Sequence, residues 1–206
     1  MPFLFMGFFL VFAMGCDKED DIDFANTFKD SRDGRIYRTV TIDDQVWMAE
    51  NLAFKPSTGN YWAYGNLNAY VDIYGYLYDW QTAMNVCPAG WRLPTDAEWT
   101  QLIGFLGGEQ VAGGKLKATG TIEAVTGLWH APNTGATNET GFTALPGGGR
   151  YHNGAFGSLG SYGIWWSATE FDAGKALYLS LGYNWSDVNR NNYDKGYGFA
   201  VRCLKD

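Results

Sequence analysis

The chain has 206 residues, 46% of them apolar and 18% charged, which suits one folded domain and excludes a disordered polymer. Fifteen basic against 22 acidic side chains give a net charge of −7, which argues against any partner held through its phosphates, nucleic acid first among them. Twenty-seven glycines and 17% aromatics describe many turns alternating with large rigid side chains, while two histidines and three cysteines leave little for metal or nucleophilic chemistry.

The first residues read as an address. Residues 3–12 are apolar apart from Gly7, a run of about ten where a spanning helix needs about twenty, so the segment reads as the core of a secretory signal. Ala13 and Gly15 before Cys16 resemble the lipobox of bacterial lipoproteins. That resemblance implies a signal peptide over 1–15 and acyl chains on Cys16 that tie the protein to a membrane. The alternative is a soluble secreted protein cut near the same place. Asp17-Lys18-Glu19-Asp20-Asp21 then opens an acidic tether over 16–33. Lysine followed by acids directly after a lipidated cysteine also resembles the surface-export signal of Bacteroidetes lipoproteins, which implies anchoring in the outer membrane with display on the cell surface.

The folded part is expected over 34–206. Ile36 to Ile42 is rich in branched and aromatic residues, Asp43-Asp44 suits a tight turn, and Gln45 to Met48 returns, which predicts a hairpin. Leu77, Trp80, Met84 and Cys87 then lie on a helical stripe that Pro88 and Gly90 end. Thr95-Asp96-Ala97-Glu98 has the form of a capping box, followed by an apolar face of Trp99, Leu102, Ile103 and Leu106 and a Gly107-Gly108 stop. From Gly108 to Gly149 glycines punctuate short apolar pieces, which predicts loops. Gly147-Gly148-Gly149-Arg150 lacks the pattern of a phosphate loop and reads as turn chemistry. Strand patterns return in 164–169, in 176–183 with Leu177, Leu179 and Leu181 inward, and in 197–204. The order predicts an α+β fold with a mainly antiparallel sheet and two helices, whose first and last strands meet.

With Cys16 set aside, Cys87 and Cys203 form an even pair in an exported chain, which predicts a disulfide. Two buried free thiols, or half of a metal site, are the alternatives.

Five blocks carry a family resemblance. They are Asp33-Gly34-Arg35 with Trp47-Met48-Ala49-Glu50-Asn51-Leu52, the run from Cys87 to Trp99, Gly141 to Gly148, Trp165 to Glu170, and Gly198 to Cys203. Together they resemble the Fibrobacter succinogenes major paralogous domain, a family of exported and surface proteins. The element Arg92-Leu93-Pro94-Thr95 with Glu98-Trp99 is also similar to sulfatase-modifying enzymes of the formylglycine-generating type. This second resemblance implies a single C-type-lectin-like domain, with a twisted antiparallel sheet, two helices and long glycine-rich loops. The copper-binding pair of closely spaced cysteines in that enzyme type has no counterpart beside Cys203, so its chemistry does not carry over.

No catalytic constellation stands out. Trp129, His130, Tyr151, His152 and Trp185 fall in expected loops, where rings and imidazoles often mark a contact surface, although each could equally plug a loop onto the core. Two histidines with no fixed spacing do not define a metal site. Asp187-x-Asn189-x-Asn191 has the oxygen spacing that opens a calcium loop, but Asn192 stands where glycine is required, so a polar hairpin loop is expected there and no cofactor is assigned; calcium elsewhere stays open. The reading is a binding or adhesion module for a glycan or protein ligand; the alternatives are an enzyme related to the formylglycine-generating oxidases or a glycan-modifying one, and a structural surface component.

Overall fold

The computed structural model describes residues 26–206; the leader, Cys16 and the acidic run behind it lie outside the described residues. Strand β1 (Thr27–Lys29) runs antiparallel to β2 (Ile36–Ile42), which turns through Asp43-Asp44 into β3 (Gln45–Met48). Asp43 takes φ 57°, a left-handed value that aspartate tolerates in tight turns. Strand β1 lies inside the segment read as a tether, so ordered structure begins ahead of residue 34. Asp30 shows why: its buried carboxylate receives Arg32 Nη2 at 2.6 Å, and Arg32 Nη1 donates to the Val86 carbonyl at 2.8 Å, which ties the segment to the rest of the domain.

Next come β4 (Tyr61–Trp62), α1 (Val71–Tyr74), β5 (Leu77–Tyr78) and α2 (Trp80–Val86). The stripe from Leu77 to Cys87, expected as one helix, splits. Leu77 joins β5, Asp79 caps α2 by accepting the Thr82 N–H at 2.8 Å, and Met84 faces solvent. An N-cap aspartate holds extended backbone angles, so the helix cannot continue back past it.

After β6 (Trp91–Arg92), the capping box of α3 (Asp96–Phe105) is complete. The Glu98 N–H donates to Thr95 Oγ1 at 3.4 Å and the Thr95 N–H to Glu98 Oε2 at 2.7 Å. Trp99, Leu102, Ile103 and Leu106 are buried, and Gly107 and Gly108 end the helix at φ 98°. Helix α4 (Glu109–Leu116) then occupies a stretch expected as loop. Its Gly113-Gly114 pair lets two backbones touch: a Cβ on Gly113 would sit 2.5 Å from the Asp187 carbonyl oxygen, and one on Gly114 2.4 Å from that of Gly135.

The last third builds the main sheet. Strands β7 (Gly147–Arg150) and β8 (Phe156–Leu159) pair, so the glycine run is a strand rather than a turn; a Cβ on Gly149 would come within 3.0 Å of the Phe199 ring. An antiparallel meander follows in β9 (Tyr162–Glu170), β10 (Lys175–Gly182) and β11 (Val188–Asp194). Finally β12 (Phe199–Ala200) lies beside β9, and β13 (Leu204–Lys205) joins the first sheet. Strand β11 replaces the expected polar loop, because pairing with β10 along its whole length outweighs the poor strand preference of asparagine. The orders are β1-β2-β3-β13-β6 and β11-β10-β9-β12-β5-β4. Leu204 opposite Trp47 brings the two ends of the described chain together, as expected. Helices packed on mainly antiparallel sheets make an α+β fold.

Two cores flank the main sheet. Trp165, Leu179, Leu181 and Val188 pack with Trp47, Trp99 and Trp129, while Trp166 and Phe199 pack with Tyr78, Trp80 and Cys203. The adjacent tryptophans Trp165 and Trp166 face opposite ways, and both are fully buried because the sheet is covered on both sides at that point. The Cys87–Cys203 disulfide, with Cα atoms 6.0 Å apart, joins the end of α2 to the tail. Arg202 is buried beside it without a carboxylate. Its guanidinium donates to Asn51 Oδ1 and to the carbonyls of Met48, Phe142 and Thr143, which satisfies the charge by dipoles instead.

Candidate binding face

Alternation along β9, β10 and β11 gives the sheet two unlike sides. Register sets Tyr178 opposite Asn191 and Ser180 opposite Asn189, and on the other flank Ser180 opposite Ile164 and Gly182 opposite Tyr162. These residues share the side facing away from Leu179, Leu181 and Val188. Three neighbours wall the side into a concavity of about 280 Å3: Tyr151 and Ser158 from the β7–β8 hairpin, Trp185 from the β10–β11 turn, and Tyr197 beyond β11.

Rings dominate it. Tyr178 stacks on Tyr193 at 5.3 Å, Tyr193 on Tyr197 at 4.6 Å, and Tyr151 meets Tyr197 edge-on at 6.0 Å. Trp185 tilts against Tyr162 at 5.5 Å and lies over Gly182, where a Cβ would come within 2.4 Å of its ring. Tyr193 is 41% exposed, so this ladder is open to a partner. Burial, with Tyr193 close by, raises the phenol pKa of Tyr178 and of Tyr197, so both hydroxyls stay protonated donors at neutral pH.

No lining side chain carries a charge. Arg190, between Asn189 and Asn191 on the same strand, points the opposite way and is tied by Glu109 at 2.8 Å and Asp96 at 3.2 Å. The face therefore offers flat apolar rings together with neutral donors and acceptors.

The structure sorts the five residues singled out from sequence. Tyr151 and Trp185 line the concavity. His152 stands at its edge, with Nδ1 3.1 Å from the Tyr197 hydroxyl. His130 lies elsewhere, its Nδ1 2.8 Å from Glu123 Oε1 and its ring edge-on to Tyr183. Trp129 is corrected: it is 0% exposed, donates from Nε1 to the Ala144 carbonyl at 3.0 Å, and fills the core, so it has no surface to offer a ligand. Sequence reasoning missed Tyr178, Ser180, Asn189, Asn191 and Tyr193 as lining residues. For Tyr178 and Ser180 the signal was the other half of a pattern already read, since the leucines of 177–181 alternate with residues of opposite facing; Asn189, Asn191 and Tyr193 join them only through the pairing of β11 with β10.

Among the described residues no three His, Cys, Asp or Glu side chains cluster as metal ligands would. Asn189 and Asn191 run along β11, directly after Asp187, and a strand spaces alternate side chains by about 7 Å rather than around one ion. Cys87 and Cys203 are consumed by their disulfide.

Fold and face together define an α+β domain with an uncharged aromatic concavity on its main sheet. The chain belongs to the Fibrobacter succinogenes major domain family, which matches residues 40–205. No curated protein and no solved structure matches it.

Proposed function

We propose that this protein is a binding module that holds a neutral glycan against the β9–β11 face, without catalysis. The observation that carries the reading is the lining: stacked tyrosines and a tryptophan interleaved with serine and asparagine, and no charge. Sugar rings present apolar C–H faces that suit aromatic platforms, and hydroxyls that pair with amides and phenols. A charged peptide or acidic polymer would find no counter-charge there. The C-type-lectin-like architecture belongs to the same proposal, supported by the sheet that joins the two ends and by the long loops between α4 and β7. So does lipid anchoring at Cys16 in the outer membrane with surface display, which rests on the lipobox-like and acidic segments of the sequence.

Pull-down on insoluble neutral polysaccharides tests the reading, with cellulose, chitin and mannan set against acidic alginate and pectin. Retention on a neutral polymer that Tyr193→Ala and Trp185→Ala abolish supports it. Retention on none, or on the acidic polymers alone, overturns it.

A further inference from the structure

Lys117, at the C-terminal end of α4, is the one lysine whose ammonium is fully enclosed among the described residues. Its Nζ donates to three carbonyl oxygens: Trp185 at 2.8 Å, Gly182 at 2.9 Å and Thr134 at 2.9 Å. All three protons are engaged, and no carboxylate takes part. The Trp129 ring covers the site, 5.4 Å from Nζ to its centroid. Gly182 is the last residue of β10 and Trp185 lies in the β10–β11 turn it leads into, while Thr134 belongs to the loop packed against that turn.

The surroundings are built for the same purpose. Gly114 N–H donates to the Ser186 carbonyl at 3.0 Å, Thr134 N–H to that of Tyr183 at 2.9 Å, and Thr137 N–H to that of Gly114 at 3.0 Å. The close approach of Gly113 and Gly114 leaves the turn no room to shift toward α4. An array of carbonyl oxygens around one cation is what a metal ion would organise; here the chain supplies the cation itself.

We propose that Lys117 is the positioning residue of the binding face, an internal cation that fixes the β10–β11 turn and thereby holds the Trp185 ring over Gly182 for its ligand. The inference rests on the glycan reading for the ligand's identity but not for the anchoring of the turn. It deepens that reading by making ligand binding independent of any added divalent cation. The charged and titratable groups around Lys117 are otherwise occupied or turned out. Lys115 on α4 pairs with Glu139 at 3.1 Å, His130 ahead of the loop pairs with Glu123, and Glu109 pairs with Arg190. Asp187, on the turn, is exposed, and the Tyr183 ring packs edge-on against His130. Burial lowers the Lys117 pKa to about 8, so mild alkali removes one of the three donors and leaves a carbonyl unanswered.

The test follows the indole N–H resonance of Trp185, assigned with Trp185→Phe, in the intact mature protein between pH 7 and pH 10. The expected result is one transition near pH 8 in the wild type that Lys117→Met lacks, with the Trp165 resonance steady in both. Lys117→Met should also weaken cellohexaose, chitohexaose or mannohexaose binding by about tenfold or more, because a loosened platform must be ordered again on binding; EDTA should change nothing. A wild-type Trp185 resonance that stays put throughout overturns the proposal even if Lys117→Met does not fold, as does oligosaccharide binding that EDTA abolishes. A transition as expected with none of the sugars bound upholds the anchor and contradicts the glycan reading instead.

Discussion

The two sides of the β9–β11 meander come from the same strands and do opposite things. On one side Trp165, Leu179, Leu181 and Val188 are closed under α3 and α4; on the other, beyond the second core around Trp166, Asn189, Asn191 and Tyr193 are exposed and Tyr178 is half-buried. One register serves both, so the core fixes the spacing of the binding side to within the pleat of a strand. A face carried on a sheet is held more rigidly than one carried on loops, and here only Trp185, Tyr151 and Tyr197 depend on connections.

The sharpest way to break the comparison is to attack the covered side and its fastening. Replacing Cys87 and Cys203 together by serine should lower unfolding free energy by about 4–5 kcal/mol in the chain-entropy model, for a closed loop of 116 residues, as read from denaturant melts. Trp165→Ala should cost about 3–5 kcal/mol, since it empties a fully buried site and removes the donor to Asn51 Oδ1. Tyr193→Ala reverses the pattern: stability should change by less than about 1 kcal/mol, while affinity for a retained neutral oligosaccharide falls by about tenfold or more. A Tyr193→Ala variant as unstable as Trp165→Ala would show that the two sides are not distinct in kind.

The smallest effect concerns pH. Lys117 has a folded pKa of about 8 against an ordinary value of 10.5, so between those limits the unfolded chain holds a proton that the folded chain has shed. Stability linked to this group should therefore rise with pH across that window. The rise should be absent from Lys117→Met, as seen by comparing melts of the two proteins at pH 7.5 and 10. The same deprotonation that relieves the buried charge removes one anchor of the Trp185 turn, so global stability and local order move in opposite directions.

What the sequence made legible follows the physics of local signals. The capping box at Thr95 and the turn at Asp43-Asp44 are decided by residues within a few positions of each other, and both form as read. The pairing of Cys87 with Cys203 was readable by parity. Helix α4 was hidden because Gly113 and Gly114 look like a break; they are there for the approach of residues 135 and 187, which no local window contains. Strand β11 was hidden for a similar reason, since its asparagines become strand residues only through β10. The candidate site fared in proportion. Tyr151 and Trp185 were found as loop aromatics, but the same rule selected Trp129, whose ring turns inward, and overlooked tyrosines that strand register alone brings together.

Most of the face lies outside the blocks that carry the family resemblance. Those blocks build the frame: the run from Cys87 to Trp99 supplies a disulfide partner and the start of α3, and Gly198 to Cys203 supplies β12 and the tail. Tyr162, Tyr178, Trp185, Asn189, Asn191 and Tyr193 belong to none of them, so the blocks that make the fold are largely separate from the face proposed to bind.

The most direct test compares two indoles on one sheet. Cellohexaose, chitohexaose and mannohexaose are titrated in turn into the 15N-labelled protein at pH 7, and the Trp185 and Trp165 side-chain N–H resonances are followed. The account predicts that at least one of these sugars shifts Trp185 in a saturable manner while Trp165 stays fixed. Saturable binding that leaves Trp185 unmoved, or no response to any of the three, would contradict it.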